Sequence, residues 1–138
     1  MLKDWNKVEQ PTAEEVDKRL ANAKNSLLQQ QIAMKEKKLP VIVLLEGWGA
    51  AGKGSVLGKL IKNIDPRFFK VAVMDEPTEE EKRKPFLYRH FVKIPEAGKF
   101  VFMDSGWMSE GTSQKLSGEL SEEEYKKRIE SIKRFERQ

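Results

Sequence analysis

The stretch LLEGWGAAGKGSVLGKL, Leu44 to Leu60, sets Gly47, four residues, Gly52 and then Lys53 between an apolar run and an amphipathic one. Small residues at Gly47, Gly49, Ala50, Ala51, Gly52 and Gly54 let successive backbone N–H groups turn inward at the positive end of the following helix, and such a cradle binds phosphate. Lys53 adds a point charge for terminal phosphates. The plainer alternative is a tight strand-to-helix turn, which would not need a lysine inside a run of glycines and alanines. In the Walker A pattern G-x-x-x-x-G-K-[ST] a hydroxyl follows the lysine and helps to hold Mg2+. Here Gly54 takes that place and Ser55 comes one residue late, so Ser55 as a substitute ligand stays open.

A second candidate is Asp104, which closes the apolar run FVFMD and would deliver a carboxylate to the C-terminal edge of a sheet, the Walker B arrangement for Mg2+. Its bland role is to cap the turn after the strand. Asp75 ends the run KVAVMD in the same way but precedes Pro77 closely, which favours capping. Between these runs, Lys82, Arg83, Lys84 and Arg89 form a cationic segment that could close over phosphates as a lid; Glu79 to Glu81 could equally pair with it as an ordinary charged helix. Arg67 after Asp65-Pro66 reads as a turn residue, Trp48 as a packed side chain of the loop, and His90 as a structural or surface histidine.

These groups need a scaffold, and the chain of 138 residues is long enough for one domain with its own core. It has 26 Lys+Arg against 22 Asp+Glu, a mildly basic balance that suits a polyanionic ligand without requiring one. With no cysteine there is no disulfide framework or thiolate metal site, and one histidine makes no histidine cluster. No run approaches the ~18 apolar residues of a membrane span. A cytoplasmic protein without membrane or nucleic-acid partners is expected.

Thr12 and Glu15 have capping-box spacing, and Val16, Leu20, Ala23, Leu27 and Leu28 share one helical stripe, which predicts a long helix over 13–37 in an N-terminal helical segment, 1–40. The unbroken apolar run VIVLLEG predicts a central strand covered on both faces. Helical spacing of Val56, Leu57, Leu60, Ile61 and Ile64 follows, then a second strand over Lys70–Asp75. Thr78 and Glu81 open a charged helix that Pro85 interrupts, Phe100–Asp104 is a third strand, and 105–120 reads as a Ser/Gly-containing loop. Ser121 and Glu124 begin a last helix that buries Tyr125, Ile129, Ile132 and Phe135 and carries the pairs Glu122/Lys126 and Glu123/Lys127. Strand and helix alternate, so the fold class is α/β with a parallel sheet, in which only three strands are visible.

EGWGAAGKGS, DPRFF, PTEEEKRKPFLYRHFVKIPEAGKFVFMDSGW and YKKRIESIKRFERQ, in this order, resemble the polyphosphate kinase 2 family from about Leu39 onward. The family's loop is close to E-G-W-D-A-A-G-K-G, followed by a D-P-R-G-F turn, a P-T-x-E-E…F-L-W-R lid and a strand ending in F-D-R-S-W-Y. The resemblance implies a P-loop kinase-like sheet over 41–138, here a partial domain, transferring phosphoryl groups between inorganic polyphosphate and a nucleotide (AMP or ADP) with Mg2+. It accounts for Gly54, since the family has glycine there. Lys53 with Gly47, Gly52 and Gly54 matches the family's phosphate-binding set, Asp104 its metal-handling aspartate and Arg89 its lid arginine.

The departures are Gly49 for the loop aspartate, Ser105 for the arginine of D-R-S-W-Y, Gly106 for its serine, Met108 for its tyrosine, and Phe68 for the glycine of D-P-R-G-F. Losing a preorganised charge from a phosphoryl-transfer site costs about 10²–10³ in rate. The expectation is therefore a domain with impaired catalysis, like the degenerate N-terminal member of a tandem polyphosphate:AMP phosphotransferase, working beside a partner domain or as a homo-oligomer. The alternative is a non-catalytic phosphate-binding or dimerisation module that keeps the kinase fold.

Overall fold

The apolar runs and helical stripes form three parallel strands between two helical layers. The computed structural model describes residues 11–62 and 64–138; the first ten residues of the 1–40 segment lie outside them. In chain order the elements are α1 (Ala13–Glu36), β1 (Val41–Leu45), α2 (Lys53–Ile61), a 3-10 turn (Pro66–Phe68), β2 (Phe69–Val73), α3 (Glu79–Lys82), α4 (Tyr88–Phe91), β3 (Phe100–Asp104), α5 (Trp107–Leu116) and α6 (Glu122–Phe135).

The three capping boxes form as spaced. Thr12, Thr78 and Ser121 each accept from the N–H three residues on, while Glu15, Glu81 and Glu124 reach back to the cap N–H. Each satisfies two of the donors that a helix start leaves open. Pro85 separates α3 from α4, because a proline supplies no N–H to continue the first helix. In α6, Lys127 Nζ lies 2.7 Å from Glu123, whereas Glu122 is closer to Lys115 of α5 (2.9 Å) than to Lys126 (4.0 Å).

The strand order is β1-β3-β2, all parallel, with Leu45, Asp104 and Val73 in one row at the C-terminal edge. The expectation of β1 as the central strand is corrected: β3 holds the centre, and among the described residues β1 pairs only with β3. Both runs are unbroken and apolar, so local pattern cannot separate a centre from an edge; the returning segment 92–99 decides it by inserting β3 between the other two.

Alternation along β3 feeds two cores. Phe100 and Phe102 face Met34 of α1 and Leu57 of α2, with Ile64 completing that side. Val101 and Met103 face Trp107 of α5 and Ile132 of α6, with Phe86, Leu87, Ile129 and Phe135 around them. The α6 stripe therefore faces the sheet as spaced, with Ile132 buried and Tyr125, Ile129 and Phe135 half-buried. The α1 stripe does not: Val16, Leu20 and Leu28 stay exposed, and the helix enters the core only through Leu27, Gln31 and Met34.

A second correction concerns 105–120. Its residues 107–116 are helix α5 rather than loop. Ser109, Gly111, Thr112 and Ser113 are indifferent or poor helix formers, so tertiary packing makes this helix. Trp107 is buried and its indole N–H donates to Glu136 Oε1 at 2.9 Å. Gly111 lets α6 lie close, since a Cβ there would already touch Arg128 Cδ at 3.4 Å.

Candidate functional site

β1 ends at Leu45 and the chain turns through Glu46–Gly52 into α2. Gly52 caps that helix in the left-handed region (φ 82°) without a side-chain bond, and Gly47 lies at φ 148°. The N–H groups of Lys53, Gly54 and Ser55, the first turn of α2, have no carbonyl four residues back within the helix, so they face outward at its positive end. Lys53, the first residue of α2, folds back over the loop: its Nζ donates to Gly47 O at 3.0 Å and Trp48 O at 3.2 Å. Ala51 N–H donates to Trp48 O at 3.0 Å and closes the turn. Gly49, Ala50, Gly54 and Ser55 are exposed around this cradle.

Trp48 corrects another expectation. It is 78% exposed instead of packed, because the loop rises off the sheet edge and nothing in the described residues covers it. It forms part of the wall of a cavity of about 520 Å³, together with Glu46, Gly49 and Lys53 on one side and Ser105, Ser109 and Glu110 on the other.

Asp104 ends β3 between Leu45 and Val73 and is half-buried. Its carboxylate has no hydrogen bond or ion pair among the described residues. Among those residues there is also no cluster of three His, Cys, Asp or Glu side chains fit to hold a metal by themselves. Mg2+ characteristically takes one or two carboxylates and completes its shell with water and phosphate oxygens, so a lone, unpartnered Asp104 suits a cation that arrives with a phosphate chain.

Ser105 follows in the left-handed region (φ 65°), uncommon for a residue with a side chain, and its N–H donates to Leu45 O at 3.1 Å. Gly106 then lies extended. A Cβ on it would stand 2.6 Å from Glu46 Oε1 and 3.2 Å from Leu44 Cδ2. That space is taken because the Glu46 carboxylate reaches over to α5, where its Oε2 accepts from Ser109 N–H at 3.1 Å and from the Ser109 hydroxyl. Glu46, Ser109 and Glu110 were not singled out from the sequence. Glu46 carries a weak signal in standing between β1 and Gly47, but the other two lie in a Ser/Gly-containing stretch with no helical stripe to mark them.

The cationic segment 79–92, expected as a lid, is more closed on itself than its charges suggest. Lys82 pairs with Glu79 at 2.7 Å and Lys84 with Glu80 at 2.6 Å, and each glutamate raises its lysine's pKa chiefly by hydrogen bonding. The Thr78 N–H, and secondarily the charge of Arg89, hold the Glu81 carboxyl below the usual range. Arg89 is buried. Its Nη2 donates to Asp75 O, Nε lies 3.9 Å from Glu81 and Nη1 lies 3.6 Å from Glu110. His90 is wholly buried between the rings of Phe86 and Trp107, and its Nε2 is 3.2 Å from Glu110 Oε2. The structure thus brings Gly47, Gly49 and Lys53 to one cavity, sets Asp104 at the adjoining strand end, and turns Arg89 toward α5. Arg67 pairs with Asp65 at 2.6 Å and stays a turn residue.

The family model described as Polyphosphate kinase 2 matches residues 10–138. The chain is 30% identical over 119 residues to an ADP-polyphosphate phosphotransferase 3 of Rhizobium meliloti, covering 86% of this chain and 42% of that protein. It is 31% identical over 102 residues to a polyphosphate:AMP phosphotransferase of Pseudomonas syringae, covering 74% of this chain and 20% of that one. A crystal structure of a protein described as a polyphosphate kinase 2 from Pseudomonas aeruginosa superposes with a TM-score of 0.85 at 27% identity, over 94% of this chain and 29% of that chain. The chain therefore spans less than half the length of each of these relatives.

Proposed function

The chain belongs to the polyphosphate kinase 2 family, and from that premise we propose that it is the phosphate-chain-binding part of a polyphosphate-dependent nucleotide phosphotransferase acting on AMP or ADP. The observation that carries this reading is the open first turn of α2 with Lys53 folded over its loop, a cradle of donors and one cation at the C-terminal edge of a parallel sheet. Lys53 and the loop N–H groups hold phosphate oxygens. Asp104 holds a hydrated Mg2+ that offsets phosphate charge, and Ser55 in the first turn of α2 is the nearest substitute for the missing hydroxyl ligand.

Turnover in this chain is impaired on the same reading. Gly49 supplies no carboxylate and Ser105 no guanidinium at positions where the family pattern has them, while Arg89 is engaged with Asp75, Glu81 and Glu110. A partner domain with an intact site would then carry the transfer. The space for repair exists: a Cβ at Gly49 meets nothing within 4 Å, and Ser105 already bears a side chain in its left-handed conformation.

The test is polyphosphate-dependent phosphorylation of AMP and of ADP, compared between the chain and its Gly49→Asp/Ser105→Arg variant with Mg2+ present. Low turnover that rises by about 10²-fold or more in the variant is expected. Full turnover by the unmodified chain overturns the impaired-domain reading. Tight polyphosphate binding with no turnover in either protein favours the non-catalytic module, and absence of binding overturns the proposal.

A further inference from the structure

Two side chains adjacent in sequence, Ser109 and Glu110, face opposite ways from the first turn of α5. Ser109 presents its N–H and hydroxyl to Glu46, the residue on which the phosphate loop is rooted. Glu110 presents its carboxylate to His90 and Arg89 of α4, in the lid segment. Both residues also stand on the wall of the cavity that Lys53 enters. A chain of contacts thus runs from Gly47 through Glu46, Ser109 and Glu110 to the lid. Gly47 and Glu46, like Ser109 and Glu110, are joined by the backbone; the two links across space, Ser109 to Glu46 and the lid to Glu110, are hydrogen bonds or ion pairs to a carboxylate, stronger than a neutral contact of the same length.

The lid end of this chain is unfinished. A carboxylate only accepts, so His90 Nε2 carries the proton toward Glu110, and its buried Nδ1 is left without a partner. Buried Arg89 Nε and Nη1 make no hydrogen bond either, with their carboxylates at 3.9 and 3.6 Å. Unmet donors on a buried guanidinium are costly, and a shift of well under 1 Å in α5 would bring Glu110 within bonding distance. The lid can therefore gain an interaction from a small movement at the loop side of α5.

We propose that the first turn of α5 is a bracket that couples the phosphate loop to the lid: occupation of the loop moves Glu46, and Ser109 and Glu110 carry that movement to His90 and Arg89. Ser109 and Glu110 are positioning residues in this device. The ligand arm rests on the reading of the loop as a polyphosphate site; the ligand-free arm does not.

Amide hydrogen exchange of lid peptides over 79–92 tests it, in the wild-type chain and in Glu46→Ala, Glu46→Gln, Ser109→Ala and Glu110→Gln, with and without long-chain inorganic polyphosphate. Glu46 and Ser109 make no hydrogen bond or ion pair with the lid. Without ligand, Glu46→Ala and Ser109→Ala are expected to speed lid exchange by about fivefold or more, the scale of one lost hydrogen bond. Glu46→Gln keeps an acceptor for Ser109 and should restore most of the protection. With polyphosphate, lid exchange should slow in the wild type and not in Glu110→Gln. Lid exchange at the wild-type rate in both ligand-free variants overturns the coupling, as does an equal acceleration over β3, which would mean general loosening. If the wild type fails to bind polyphosphate, the functional reading falls while the ligand-free arm still decides the bracket.

Discussion

Substituting Gly106 by serine, the residue that the family pattern carries there, should destabilise this chain. The backbone is extended at φ −114°, so no left-handed strain is involved. The conflict is steric: the new Cβ would lie 2.6 Å from Glu46 Oε1, so the carboxylate must shift, and the shift costs most if it breaks both bonds that Ser109 makes to Oε2. Hydrogen bonds to a charged group are worth about 1.5–3 kcal/mol when well shielded. Glu46 is exposed, so about 2 kcal/mol for the pair is the reasonable figure. Against this, serine in place of glycine as the cap of α5 contributes only about a few tenths of a kcal/mol.

With both bonds broken the net loss should be about 1.5–2 kcal/mol, a fall of about 1 M in the urea midpoint at unchanged slope. In a Glu46→Ala background the same substitution should cost below about 0.5 kcal/mol, the remainder coming from Leu44 Cδ2 at 3.2 Å. Equilibrium urea unfolding of the four proteins measures the cycle. An equal cost of Gly106→Ser in both backgrounds would refute the argument that Glu46 occupies the serine's place.

Lys53→Ala removes the cation above the loop and should weaken polyphosphate binding by about 10- to 150-fold in calorimetric titration, the free-energy scale of one charge-assisted bond. The circular dichroism should stay unchanged, because the lysine is not in either core. Hydrogen bonds from Arg67 lower the Asp65 carboxyl from 3.8 to about 2. With a depressed folded pKa, the pair's stabilisation is present above the unfolded value of 3.8 and disappears as pH falls toward about 2. Arg67→Ala should return the Asp65 midpoint toward 3.8 in a carbon-detected NMR titration, and a midpoint that stays near 2 would contradict the assignment.

What the amino-acid sequence makes legible is local. The three capping boxes, the apolar run of β3, the turn at Asp65-Pro66 and the glycine loop each lie within a few residues, and the structure forms each of them. The order of strands could not be read, since β1 and β3 carry the same kind of run. Helix α5 is hidden because Ser109, Gly111, Thr112 and Ser113 interrupt the better helix formers on either side, and the packing of Trp107 and Gly111 on α6 tips the balance. The clasp of Glu46 on Ser109 spans 63 residues and has no pattern at either end. Arg89 was visible as a lid cation, yet its direction depends on Glu81, Glu110 and Asp75 together.

The shared row of Leu45, Asp104 and Val73 has a consequence for insertions and deletions. Each strand has only five residues, and β3 feeds alternate side chains to two cores. One residue added within β3 exchanges the partners of Phe102 and Met103 and swings Asp104 to the other face of the sheet. Two residues added keep the faces but push Asp104 about 7 Å past the loop it adjoins. Length drift during descent should therefore collect in the turns before and after β3, while the five-residue count of β3 itself stays fixed.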